Sequence, residues 1–457
     1  MHAKERTAIV SLAIIMAFRM LGLFMLLPVF ALYTHKIVLA TPALMGLALG
    51  IYGISQACFQ IPLGILSDHL GRKPILMGGL ILLWLGSVVA AVAHSIYWII
   101  IGRALQGAGA IGSTTLAAIA DLTGEEDRSK AMALVGIAIG FSFAVALILG
   151  PAINAWFQLS GIFWATALFA GFGIVLLYTT VPTLPKISPH PDEVNPEKGY
   201  FKKIIRDRQI LCLDLGIFLL HCILTAFFIG IPIVLSQMIR LTEHQQVLFY
   251  LNTMLLSFII VMPLIIIGEK KRKLKSLFIG SVTFLVICPI LLFILPYSVS
   301  SISIILFFFL IAFTLLEAIL PSLMSKAAPI RYKGTVMGIY SSAQFLGIFI
   351  GGSVGGWIFG HFDIFGLFIF CTIVGLIWLV FVISMKQPLY TSTIVVKLNK
   401  SLITDLADLN QRLCSIEGIS EVAVLHRKNL IYIKIDKKII NEDKLRKRIR
   451  QGNLDAD

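Results

Sequence analysis

From residue 8 to residue 385 the chain repeats one pattern: about 20 residues with few or no charges, then a short polar or basic connector. A run of that length is enough for a helix to cross the hydrocarbon of a bilayer. Inside lipid every backbone N–H and C=O must be satisfied within the protein, which leaves helices and closed barrels. A barrel would show alternating segments of about ten residues, and the runs here are longer and apolar throughout. We read twelve, at roughly 8–32, 43–66, 75–94, 98–121, 130–157, 162–180, 210–239, 245–267, 274–294, 301–325, 333–360 and 364–385. The expected fold class is an all-α membrane bundle. Composition agrees: 14% of residues are charged and the mean hydropathy is +0.92, against about 25% charged in soluble domains.

Charge gives the expected orientation. With the N-terminus inside, the inner connectors before residue 386 hold twenty Lys and Arg, whereas the outer ones hold only Lys36 and Arg240. The positive-inside rule then puts both termini in the cytoplasm, in a multi-pass inner-membrane protein. The net charge of +14 reports topology, and no nucleic-acid partner is expected. Met1 to Arg6 is short and basic, but the run after it is long, holds Arg19 and shows no small-residue cleavage pattern, so it is read as a retained first span. Cys58, Cys212, Cys222, Cys288, Cys371 and Cys414 include no CxxC pair and read as packing residues, with no metal site.

Residues 181–209 are rich in proline and charge and read as a cytoplasmic linker, dividing the spans into bundles 1–180 and 210–387. The halves echo each other. Pro62-Leu63 matches Pro263-Leu264, each followed by a basic loop, and "RSKAMALVG" at Arg128 matches "RYKGTVMG" at Arg331. Such a repeat places a substrate path between two bundles. Residues 391–457 change character. "STIVVKL", "ISEVAVL" and "LIYIKID" alternate as strands, with helical periodicity between and after them, so a small α+β domain of ferredoxin-like order is expected.

The loop "GILSDHLGRKPIL" carries Gly64-x3-Asp68-x2-Gly71-Arg72-Lys73 between spans two and three. It resembles the loop signature of the major facilitator superfamily. Arg103-x2-Gln106-Gly107-x-Gly109 in span four is similar to another pattern of that family. Gly150-Pro151 in span five resembles the centre of a drug/proton antiporter motif, although Asn154 and Ala155 stand where paired glycines are expected. "MAFRMLGLFMLLPVF", "DLTGEEDRSKAMALVG" and the ferredoxin-like tail extend the resemblance over nearly the whole chain, to a branch with such an appendage. The resemblance implies a two-bundle fold and a latch at the inner face, formed by Gly64, Asp68, Gly71 and Arg72 with Asp121 and, as a candidate partner, Arg331.

Ionisable residues at membrane depth are costly and usually mark transport paths. Arg19, Arg103, His221 and Glu317 fall in spans one, four, seven and ten, the spans that line the cavity in the resembled family. A carboxylate in a partly dry cavity can load and release a proton near neutral pH, which makes Glu317 the leading coupling residue, with His221 second. Asp214, near the inner end of span seven, reads as a helix cap.

The expectation is a secondary transporter that moves a small amphipathic or hydrophobic compound outward in exchange for protons, with no cofactor. Proton-coupled uptake, and a sensor signalling through the tail, are the alternatives. The tail is expected to bind an anionic molecule, to self-associate or to stabilise. P-loop and HExxH motifs are absent from the sequence, and an enzyme is not expected.

Overall fold

The computed structural model describes residues 3–33, 36–123, 125–182, 207–329, 333–385, 391–397, 413, 416–425, 430–436, 439–440, 442 and 445. By contact the chain divides into two units, Met1–Leu320 with Gly338–Met385, and Pro321–Met337 with Lys386–Asp457.

The helices of the first half are α1 (Ala3–Phe24), α2 (Pro42–Leu70), α3 (Arg72–Ala91), α4 (Ile96–Ala108), α5 (Gly112–Leu122) and α6 (Glu125–Thr180). Those of the second are α7 (Arg208–Ile233), α8 (Glu243–Lys270), α9 (Leu274–Ile294), α10 (Val299–Ala327) and α11 (Lys333–Ser384). Among the described residues nine helices are long and apolar enough to cross a membrane. Two of them hold two expected spans each, and span four is interrupted, being divided into α4 and α5; the arrangement is consistent with twelve spans.

Local chemistry explains several boundaries. Thr41 caps α2 ahead of Pro42, Asp207 caps α7 through Gln209 N and Ile210 N, and Thr242 with Gln245 forms a capping box on α8. Asp214 is therefore not the cap of α7, as the sequence suggested. It lies within the helix, with Oδ1 buried and unpartnered.

The 56 residues of α6 would reach about 84 Å as one straight helix, far beyond a hydrocarbon core of about 30 Å. The run breaks at Gln158 (φ 57°, ψ −164°), and α11 breaks alike at Asp363 (φ 55°, ψ −162°). Both legs of α6 flank α1: Phe143 meets Phe24 and Phe169 stacks on Phe18. Both legs of α11 flank α7: Gly347 and Gly351 press on the Phe218 and Cys222 backbone, and Phe368 packs on Phe227. The basic ends repeat a clasp. Lys73 Nζ donates to Tyr178 O and Val181 O (3.1 and 2.5 Å), and Lys275 Nζ to Ile383 O and Met385 O (3.4 and 2.5 Å). These lysines satisfy carbonyls left open where the second legs end.

The dihedrals at Gln158 and Asp363 lie in a region that is essentially glycine's and costs of order 1–3 kcal/mol for other residues. Both side chains are exposed, so little packing is lost on truncation. Gln158→Gly is expected to stabilise the protein by about 1 kcal/mol and Gln158→Val to destabilise it, read by unfolding in mixed micelles. Equal stability of the two variants would contradict the strained turn.

In the second unit β1 (Thr391–Lys397), β2 (Ile419–Leu425) and β3 (Leu430–Asp436) form an antiparallel sheet of order β1-β3-β2. This is the split arrangement of a ferredoxin-like fold. Ile394, Val396, Ile431, Ile433 and Ile435 form its apolar face with Leu413 and Leu445. On the other face Lys434 Nζ pairs with Glu421 (2.7 Å) and donates to Ala328 O (2.6 Å). The stretch read as the first tail helix and Cys414 lie largely or wholly outside the described residues.

Candidate functional site

Four polar clusters lie in the apolar bundle, and the expected site residues that are described divide among them. The first joins α7, α10 and α11. His221, fully buried, holds Nδ1 3.2 Å from Ile217 O, an acceptor that puts the ring proton on Nδ1. Nε2 is then free to accept from Gln344 Nε2 at 2.9 Å. The same amide donates to Glu317 Oε1 at 3.3 Å, and Glu317 Oε2 stands 3.7 Å from His221 Nε2. The Glu317 side chain retains 24% exposure and Oε2 has no hydrogen-bond partner. Tyr340, whose hydroxyl is buried and unpartnered, lies within electrostatic reach of both Glu317 and Asp214. The arrangement places a carboxylate and an imidazole one proton transfer apart, with a shared amide fixing their geometry. Gln344 was not singled out from the sequence.

The second cluster surrounds Arg19 on α1. Its Nη2 donates to Gln56 Oε1, and Gln56 Nε2 donates to Gln60 Oε1 at 2.9 Å. The guanidinium carbon lies 5.8 Å from the centre of the Phe345 ring, next in sequence to Gln344. Sequence reasoning missed both glutamines because it considered only ionisable groups. The signal was present, since two glutamines four apart on a membrane helix share a face and are costly there.

Arg103 centres a third cluster. Its Nε donates to Ala48 O (3.3 Å), its Nη1 to Gln106 Oε1 (2.9 Å), and the guanidinium lies 4.7 Å from the Tyr52 ring centre. Gln106 Nε2 in turn donates to Ser87 Oγ at 2.8 Å. Arg103 thus ties α4 to α2 and α3. A side chain at Gly107 or Gly109 would strike the Tyr52 or Gly79 backbone, which accounts for the glycines in that motif.

The described residues expected to form the latch meet near the basic end of the bundle. Arg72 pairs with Asp68, with Asp121 (2.9 Å) and with Ser67 Oγ (2.6 Å). Gly71, at φ 100°, turns the chain from α2 into α3. Gly64 sits against Ser113, whose hydroxyl donates to Gln60 O. Arg331 lies outside the described residues.

At the opposite end α2 comes into close backbone contact with α11. A Cβ on Gly46 would collide with Gly352 O and lie 2.6 Å from Gly356 Cα, and one on Gly50 would lie 2.7 Å from Phe349 O. Nearer the basic end, a Cβ on Gly136, Gly140 or Gly338 would meet nothing within 4 Å. A small cavity nearby is lined by residues that include Leu27, Leu49, Arg103, Leu224 and Ile348.

The profile described as the Major Facilitator Superfamily matches residues 12–352. The inner membrane transport protein YajR of Escherichia coli (strain K12) is 42% identical over 451 residues, 98% of both chains. An uncharacterized transporter of Buchnera aphidicola subsp. Baizongia pistaciae is 35% identical over 377 residues, 82% of this chain and 96% of its own. The crystal structure of a D-xylose-proton symporter superposes with a TM-score of 0.62 at 17% identity, covering 84% of this chain and 98% of its own.

Proposed function

Because the chain belongs to the Major Facilitator Superfamily, and so is a secondary transporter, we propose that it exports a small amphipathic compound in exchange for protons. The observation that carries this reading is the Glu317–Gln344–His221 cluster, an ionisable pair held in an otherwise apolar wall. Glu317 takes the coupling proton, His221 shares it, and Gln344 keeps them in register. Charge on the basic end and the location named for the Escherichia coli relative support a place in the inner membrane, both termini cytoplasmic.

The two halves rock about the central clusters. Close packing of α2 on α11 at the far end, and open space beside Gly136, Gly140 and Gly338, support a state that faces the cytoplasm. Arg72, held between Asp68 and Asp121, then waits to latch the inner face when the halves rock the other way. Proton-coupled uptake is a second reading. Asn154, where the antiporter motif expects glycine, accepts a hydrogen bond from Tyr33 (2.7 Å), a clasp that departs from that motif.

The test follows a ΔpH-sensitive dye in acidified inside-out vesicles while lipophilic cations, sugars and carboxylates are added. Some compound is expected to dissipate the gradient with wild type and not with Glu317→Gln. Dissipation by both would remove Glu317 from the coupling, and a gradient untouched by every compound would overturn export.

A further inference from the structure

Arg19 is 1% exposed, yet its Nε and Nη1 have no hydrogen-bond partner. Among the described residues no carboxylate pairs with it, and Glu317 spends its contacts on Gln344 and His221. Leaving a guanidinium buried with one neutral acceptor is costly, several kcal/mol for an uncompensated ion. Arg103 shows the contrast, since its buried guanidinium has two acceptors and no buried nitrogen of it is left unpartnered.

A second feature converges on the same place. Span four is broken at Gly109–Ile111, and α5 restarts at Gly112 with no side-chain cap on its N-terminus. A Cβ on Gly112 would lie 3.3 Å from Arg19 Nη1 and 3.9 Å from Gln56 Nε2, so the first turn of α5 abuts the guanidinium. In that turn Thr114 is fully buried and its hydroxyl is unpartnered. An uncapped helix start carries partial positive charge and free N–H donors, and half-helices that begin inside a membrane protein can direct them at an anion. A cation and a helix N-terminus repel each other unless a negative group joins them.

We propose that Arg19 and the first turn of α5 form an anion subsite, to which the transported compound presents a carboxylate or other oxyanion. This rests on the transporter reading above and narrows its substrate class. Gln56 orients the guanidinium, and Phe345 supplies an apolar surface beside it for the body of the compound.

The test is calorimetric titration of the purified full-length protein in detergent at constant ionic strength. The probes are benzoate and benzenesulfonate, with benzamide and benzyltrimethylammonium as neutral and cationic matches. The anions are expected to bind wild type at least tenfold more tightly than either match. Arg19→Gln should lose that preference and Arg19→Lys should keep part of it. Gln56→Glu places a carboxylate where Arg19 already donates; it should melt no lower than wild type and lose the anions, which guards against misfolding of Arg19→Gln. Wild type that binds no anion better than benzamide, or Gln56→Glu that binds the anions like wild type, overturns the subsite. No proton gradient enters these titrations, so a failure here is separate from a failure of Glu317 coupling.

Discussion

Gly46→Leu is expected to lower transport at least tenfold while the protein still reaches the membrane. Position 46 faces the Gly352 carbonyl and the Gly356 Cα, so a new side chain meets backbone that no rotamer change can move aside. Overpacking costs about 1–3 kcal/mol in general. Here the cost falls only on the state in which α2 and α11 touch, and each 1.4 kcal/mol is about a tenfold shift in an equilibrium. The variant should therefore favour the state open at the far end. Leu49, 3% exposed beside that contact, gives the readout: a cysteine placed there should react slowly with a membrane-impermeant thiol reagent, and quickly once Gly46→Leu is added. Unchanged transport and reactivity would mean that the glycine contact is not part of the cycle.

Arg103→Ala is expected to be the most destabilising single change among the expected site residues, by about 3–5 kcal/mol. It leaves Gln106 Oε1 without its donor, at about 1–3 kcal/mol for a buried orphan, removes a second bond to the helical Ala48 O, and opens a cavity beneath Tyr52. Arg103→Lys should rescue little, because an ammonium cannot donate along two directions in one plane while stacking on a ring. Unfolding in mixed micelles measures both. A loss of transport with full stability would instead place Arg103 among the residues that meet the substrate or the proton.

Much of the membrane part was legible without coordinates. Long apolar runs allow few folds, and the signals for helix starts were local: Thr41 before Pro42, and Thr242 three residues ahead of Gln245. The tail strands were read within a residue or so because alternation is itself local. Spans five and six, and eleven and twelve, were read as separate, and the chain does break between them, but the abruptness of those breaks was not foreseen. Their turns rest on single exposed residues, Gln158 and Asp363, neither a residue type that announces a positive φ as glycine does.

For the candidate sites, charge in an apolar run was enough to select Arg19, Arg103, His221 and Glu317. It was not enough to sort them. Three of the four are almost fully buried, yet Arg103 is braced by neighbours, His221 shares Gln344 with Glu317, and Arg19 is left two donors short. The glutamines that make those differences come from helices far apart in sequence. The sequence by itself determined the bundle, because the cost of exposing charge or backbone to lipid acts residue by residue. Only the tertiary structure decided which buried charge is satisfied and which is held open, because a hydrogen bond depends on where another helix brings its partner.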